Sequence, residues 1–152
     1  MSEKQFIPIG NILPPMPCYW SVGPYLERFY QDLSEKKFTG VRCPKCGRVY
    51  VPPRRLCASC RVVMSDFVEV KGTGSLLNFT VAHQLVNGAR RERPVIFGLV
   101  KLEGADTGVL GEIRGIAPEA VRIGLKLQAV FAEKPGVTVE SLSHFAPAGQ
   151  GA

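Results

Sequence analysis

The chain has 152 residues, 45% of them hydrophobic and 21% charged, with a formal net charge of +6. That length allows one modest domain or two small modules sharing an interface, in an ordinary globular composition. No apolar run approaches the ~18 residues of a membrane span, and the N-terminus lacks the basic start and uninterrupted apolar core of a signal peptide, so a cytoplasmic location is expected.

Twelve prolines and sixteen glycines favour short strands and turns over long helices. Residues 5–20 read as an extended arm, because Pro8, Pro14, Pro15 and Pro17 remove backbone donors and fix φ. Ile7, Ile9, Ile12, Leu13 and Met16 make it too apolar for a free tail, so it is expected to lie on its own or a partner's surface. Cys18, in Pro17-Cys18-Tyr19-Trp20, has no local cue for a lowered pKa and reads as a structural thiol. Pro24 to Lys37 is the one predicted helix. Proline suits its first turn, and Leu26, Phe29, Tyr30 and Leu33 recur along one face.

Two C-x-x-C pairs follow, Cys43-Pro44-Lys45-Cys46 and Cys57-Ala58-Ser59-Cys60. Pairs this close supply four thiolates, a complete tetrahedral shell for zinc. Pro44 starts a tight turn, and Gly47 supplies positive φ where N–H groups must face the sulfurs. A closed four-sulfur shell leaves no position for water or substrate, which makes the metal a structural staple. Rubredoxin-type iron uses the same ligands and remains an alternative. A pair of disulfides is the other alternative, and reducing conditions in the cytosol count against it.

Beyond the cysteines the texture becomes short strands between turns. Candidate strands are 66–71, 75–83, 95–102, 108–114, 123–131 and 137–145, with a loop ending at Pro94 and a helical turn at Pro118-Glu119-Ala120-Val121. This pattern predicts a mainly β protein: an N-terminal helix, a zinc ribbon, then a small Greek-key OB-fold barrel. The expected division is 1–40 for arm and helix, 41–66 for the ribbon, 67–147 for the barrel and 148–152 for a disordered tail. Phe67, Phe79, Phe97, Phe131 and Phe145 alternate as barrel core residues would.

No complete active site is legible. His83 and His144 fall in predicted strands without a serine or cysteine elbow. No Walker or dinucleotide glycine loop is present, and Gly72-x-Gly74 reads as a barrel bend.

Certain strings resemble a known family. They are Arg42-Cys43-Pro44-Lys45-Cys46-Gly47-Arg48-Val49-Tyr50-Val51-Pro52-Pro53-Arg54, Leu56-Cys57-Ala58-Ser59-Cys60, Gly72-Thr73-Gly74-Ser75-Leu76, Arg122-Ile123-Gly124-Leu125-Lys126-Leu127 and Phe145-Ala146-Pro147. With the ribbon-then-barrel order, they resemble the proteins that join a rubredoxin-like zinc ribbon to an OB-fold and accompany thiolases and related acyl-CoA enzymes. The resemblance implies a small, non-nucleophilic subunit of a hetero-oligomeric thiolase-type or acyltransferase complex. Such a subunit bridges others and helps to hold acyl-CoA, while the thiolase-like partner supplies the catalytic cysteine.

The coenzyme A thioester so implied carries phosphates, which guanidinium forks recognise. Arg90, Arg91 and Arg93 are the candidate phosphate contacts, on a loop between two predicted strands, and Arg48, Arg54 and Arg55 on the ribbon are weaker ones. Two other readings stand beside this one: a single-stranded nucleic-acid binder and a purely structural adaptor. Nucleic acid is disfavoured because stacking needs exposed aromatics, and neither tyrosine nor tryptophan occurs after Tyr50.

Overall fold

The structure is a computed structural model that describes residues 21–149 apart from Val86. The arm at 5–20, Cys18 within it, and residues 150–152 lie outside the described residues.

Helix α1 (Gly23–Ser34) carries Pro24 in its first turn and buries Phe29 and Leu33. It stops three residues before the predicted end at Lys37. Lys36 adopts a left-handed conformation (φ 62°), and the N–H groups of Lys36 and Lys37 then close on the carbonyls of Leu33 and Asp32. Thr39 donates a hydroxyl hydrogen bond to the Asp32 carboxylate, tying the helix to the strand that follows.

Strands β1 (Phe38–Arg42), β2 (Val49–Tyr50) and β3 (Asp66–Val70) form an antiparallel sheet in the order β2-β1-β3. All five residues of β3 pair with β1, so this segment is the third strand of the ribbon sheet. The remaining strands are β4 (Thr73–Gln84), β5 (Arg90–Leu102), β6 (Gly108–Ile113), β7 (Lys126–Phe131) and β8 (Leu142–Pro147), closed in the order β4-β5-β6-β8-β7. A 3-10 turn at Pro118–Ala120 stands where a helical turn is predicted. The mainly β fold of helix, ribbon and OB-type barrel is therefore present as read.

Three strand starts differ from the sequence reading by three residues or more. β5 starts at Arg90 instead of Val95, because His83 alone opposes residues 91–94 in an irregular stretch of the β4–β5 ladder. Pro94, which has no N–H, falls in that stretch and costs no regular ladder bond. β7 starts at Lys126, since Gly124 N and Leu125 O are engaged with Leu76. The last predicted strand begins as a 3-10 turn at Val139–Ser141.

Glycine makes the tight barrel possible. A Cβ on Gly74 would run into the Lys101 carbonyl, and one on Gly111 would lie 2.7 Å from the Phe145 ring. Phe29, Leu33, Phe38, Val49 and Val51 share one core with Leu76, Val100, Leu102, Leu127 and Phe145 of the barrel. The loop before β6 locks the two parts together. Asp106 accepts from Val49 N (2.9 Å) and donates its own N–H to Val49 O (2.8 Å), while the Thr107 hydroxyl accepts from Val51 N (2.8 Å) and donates to Val51 O (2.9 Å).

Candidate metal centre

The ribbon is built from two equivalent knuckles. In the first, Gly47 N donates to Cys43 O and Cys43 N to Arg48 O; in the second, Arg61 N donates to Cys57 O and Cys57 N to Val62 O. The residue after each second cysteine is left-handed, Gly47 at φ 73° and Arg61 at φ 55°. Glycine adopts that conformation freely, whereas Arg61 holds it at a steric cost that the closed turn sustains.

The knuckles bring Cys43, Cys46, Cys57 and Cys60 together, with all four Sγ atoms within 4.8 Å of one another. Cys46 and Cys57 sulfurs stand 3.7 Å apart and all four cysteines are free. A tetrahedral zinc with ~2.3 Å bonds requires sulfurs about 3.8 Å apart, whereas a disulfide requires ~2.0 Å. The donor set thus fits a single four-coordinate cation and not disulfides. Four protein ligands leave no open position, so a metal here supplies structure rather than Lewis-acid chemistry.

The thiols differ in acidity. The Tyr50 hydroxyl, 3.3 Å from Cys57 Sγ, is the chief cause that lowers the Cys57 pKa to about 6, helped by the backbone N–H groups of Cys60 and Ser59. Burial, followed by the neighbouring thiols, pushes Cys60 up to about 12. Tyr50 is itself buried, with the Arg54 guanidinium 4.9 Å above its ring. Its supporting role was not legible beyond its place between the cysteine pairs. Tyr50→Phe should weaken zinc affinity at neutral pH by about 10–100-fold, measured by competition with a chromogenic chelator. Unchanged affinity would remove the hydroxyl from the site.

Arg90, Arg91 and Arg93 belong to β5, not to a loop, because the ladder with β4 resumes at Gln84↔Arg90. Arg90 lines a cavity of about 430 Å³ with Ala82, His83 and Gln84, and Arg91 Nε donates to Gln84 O (3.3 Å). Neither Arg91 nor Arg93 lines that cavity, although Arg91 is bonded to Gln84, which does. On the ribbon, Arg48 donates to Ser59 Oγ (2.8 Å) and Arg54 stacks on Tyr50. Arg55 is exposed.

His144 contacts Ser143 Oγ at 3.0 Å, but the two are sequence neighbours and line none of the larger cavities described. Burial, then Arg114, lowers the His144 pKa against an opposing effect of Glu112. His83 is exposed. Phe97 departs from its expected core position: it is 38% exposed, on the outer face of β5. Phe97 with Leu99 and Leu110 (70% exposed) forms an apolar band outside the barrel. Alternation along β5 identifies two faces, and closure of the barrel decides which is inside. Among the described residues no helix is long and apolar enough to cross a membrane.

Fold and site define a metal-stapled ribbon joined to an OB-type barrel. Family models for the ChsH2 rubredoxin-like zinc ribbon domain and the ChsH2 C-terminal OB-fold domain match residues 31–62 and 67–132, and the chain belongs to this family. It is 35% identical over 94 residues to a DUF35 domain-containing scaffold protein of Methanocaldococcus jannaschii, covering 60% of this chain and 65% of that protein. It is 32% identical over 98 residues to a probable enoyl-CoA hydratase alpha subunit of Thermomonospora curvata, covering 64% of this chain and 30% of that protein. The chain thus spans less than two thirds of either relative. Among solved structures, a chain of the Ltp2-ChsH2(DUF35) aldolase aligns with TM-score 0.65 and 26% identity, covering 86% of this chain and 99% of that chain. A DUF35 family protein of unknown function from Sulfolobus solfataricus aligns with TM-score 0.61 and 28% identity, covering 71% and 78%.

Proposed function

We propose that this chain is a small, non-nucleophilic subunit of a hetero-oligomeric acyl-CoA enzyme in the cytoplasm, with thiolase-type carbon–carbon chemistry carried by its partner. The observation that carries the reading is the likeness over 86% of the chain to a component of the Ltp2-ChsH2(DUF35) aldolase. The scaffold and probable enoyl-CoA hydratase relatives support its broader part, a subunit tied to acyl-CoA metabolism. So does the apolar band of Phe97, Leu99 and Leu110, since exposed apolar surface of this kind marks contact sites. In this reading the metal holds the ribbon in shape for docking. The barrel lies near the acyl-CoA entrance, with Arg90, Arg91 and Arg93 contacting coenzyme A phosphates. The partner supplies the nucleophile, base and oxyanion donors.

Co-purification from the native source is the direct test, and a thiolase-family enzyme should accompany the untagged chain. The chain running alone overturns the reading. In the complex, replacing Arg90, Arg91 and Arg93 together with alanine should raise the acyl-CoA KM by about tenfold or more, given ~1.5–3 kcal/mol per hydrogen bond to a charged group. An unchanged KM excludes these three arginines.

A further inference from the structure

Between Arg42 and Val63 the sequence has six lysines and arginines and no aspartate or glutamate. Four thiolates around a dication offset part of that charge and leave the ribbon clearly cationic. The flanking carboxylate Asp66 is already 4.0 Å from Arg42. A groove of about 700 Å³ runs along this module. The first turn of α1 forms one wall with Tyr25 and Leu26, Pro52 and Pro53 form the other, and Arg54 and Arg55 stand at the rim. Glu27, the nearest carboxylate on α1, does not line it.

The groove is held in shape before anything enters it. The Tyr25 hydroxyl donates to Met64 O (2.6 Å), Arg54 is stacked on Tyr50, and two prolines restrict the facing wall. Beside Arg55, Leu56 (51% exposed) and Val63 (53% exposed) are bridged to each other and extend the apolar surface beyond the groove. Apolar walls with two guanidiniums at one rim suit an extended chain that buries aliphatic side chains and presents carboxylates, because each arginine can take a carboxylate in a bidentate pair.

We propose that this groove docks an extended apolar segment of the catalytic subunit, flanked by carboxylates that pair with Arg54 and Arg55. The inference rests on the functional reading above and adds where the partner binds and by what chemistry. Opposite charge across the contact sets register and speeds encounter, so binding should weaken with salt.

The test uses the full chain in its co-purified complex, with photo-reactive benzoylphenylalanine in place of Leu26 and, separately, of Leu110. The Leu26 probe should crosslink to a segment of the acyl-CoA subunit in which apolar residues alternate with aspartate or glutamate. Arg55→Glu should weaken association at least about tenfold while Arg55→Lys retains most of it. Metal content equal to the parent's would show that the ribbon of each variant is folded. The docking site is overturned if the subunit co-purifies but the Leu26 probe reaches residues 1–20 of this chain, a second copy, acyl-CoA or nucleic acid. Crosslinking from Leu110 alone, or unchanged affinity in Arg55→Glu, overturns it equally. If no acyl-CoA subunit co-purifies, the functional reading itself fails, a different outcome from a misplaced crosslink.

Discussion

Cys57→Ser should abolish stoichiometric metal binding and unfold the ribbon from Cys43 to Met64 while the barrel persists. The ribbon's own core is small: Val41, Cys43, Tyr50, Cys57 and Met64, two of which are metal ligands. Such a core cannot offset the ordering of its chain without the metal, whose binding in comparable peptides is worth about 10–16 kcal/mol. The barrel draws on the larger cluster that includes Leu76, Val100, Leu102, Leu127 and Phe145, to which the ribbon contributes Val49 and Val51. Hydrogen exchange should therefore show lost protection from 43 to 64 and retained protection in β5 and β6. An unchanged exchange pattern in a variant that binds no metal would refute the staple. Acidification should act in the same direction, because the ligands must be deprotonated.

Phe145→Ala should cost about 3–5 kcal/mol and open the barrel where it closes. Phe145 has no exposed surface, and its ring fills the space left by the missing side chain of Gly111. Its backbone stands at the same junction. The pairing Ile113↔Phe145 and the bond from Arg114 N to Phe145 O (2.9 Å) join β6 to β8, the one parallel strand pair among the described residues. Truncation thus leaves a ring-sized cavity beside a seam with few ladder bonds. Chemical denaturation should show a lower midpoint, with exchange fastest in β8. A loss below about 1 kcal/mol would mean that the ring does not fill the seam.

Local patterns were readable because their causes are local. A C-x-x-C turn places two sulfurs side by side whatever surrounds it, and two such turns already fix the donor set at Cys43, Cys46, Cys57 and Cys60. The apolar face of α1 and the left-handed Gly47 follow from spacing and residue type in the same way. Asp106 and Thr107 were different. They stand next to turn residues in the sequence, and only the fold brings their side chains to Val49 and Val51, more than fifty positions earlier. The sheet that takes up Asp66–Val70 was equally invisible, since an alternating strand does not name its neighbour. The extension of β5 through Arg90 is not legible in the sequence, because Pro94 argues for a loop unless the ladder is irregular there.

By itself, then, the sequence determined the four-sulfur site, its closed coordination, and the succession of helix, ribbon and barrel. These depend on contacts between near neighbours and on the period of apolar residues. The tertiary structure alone decided that Tyr50 supports Cys57, that Phe97 and Leu110 face outward, and that Arg90 lines a cavity with His83 and Gln84. It also set α1 against Pro52 and Pro53 to form the groove under Arg54 and Arg55. Each of these depends on which surfaces meet when the barrel closes and the ribbon docks, and that is fixed by the packing of the whole chain.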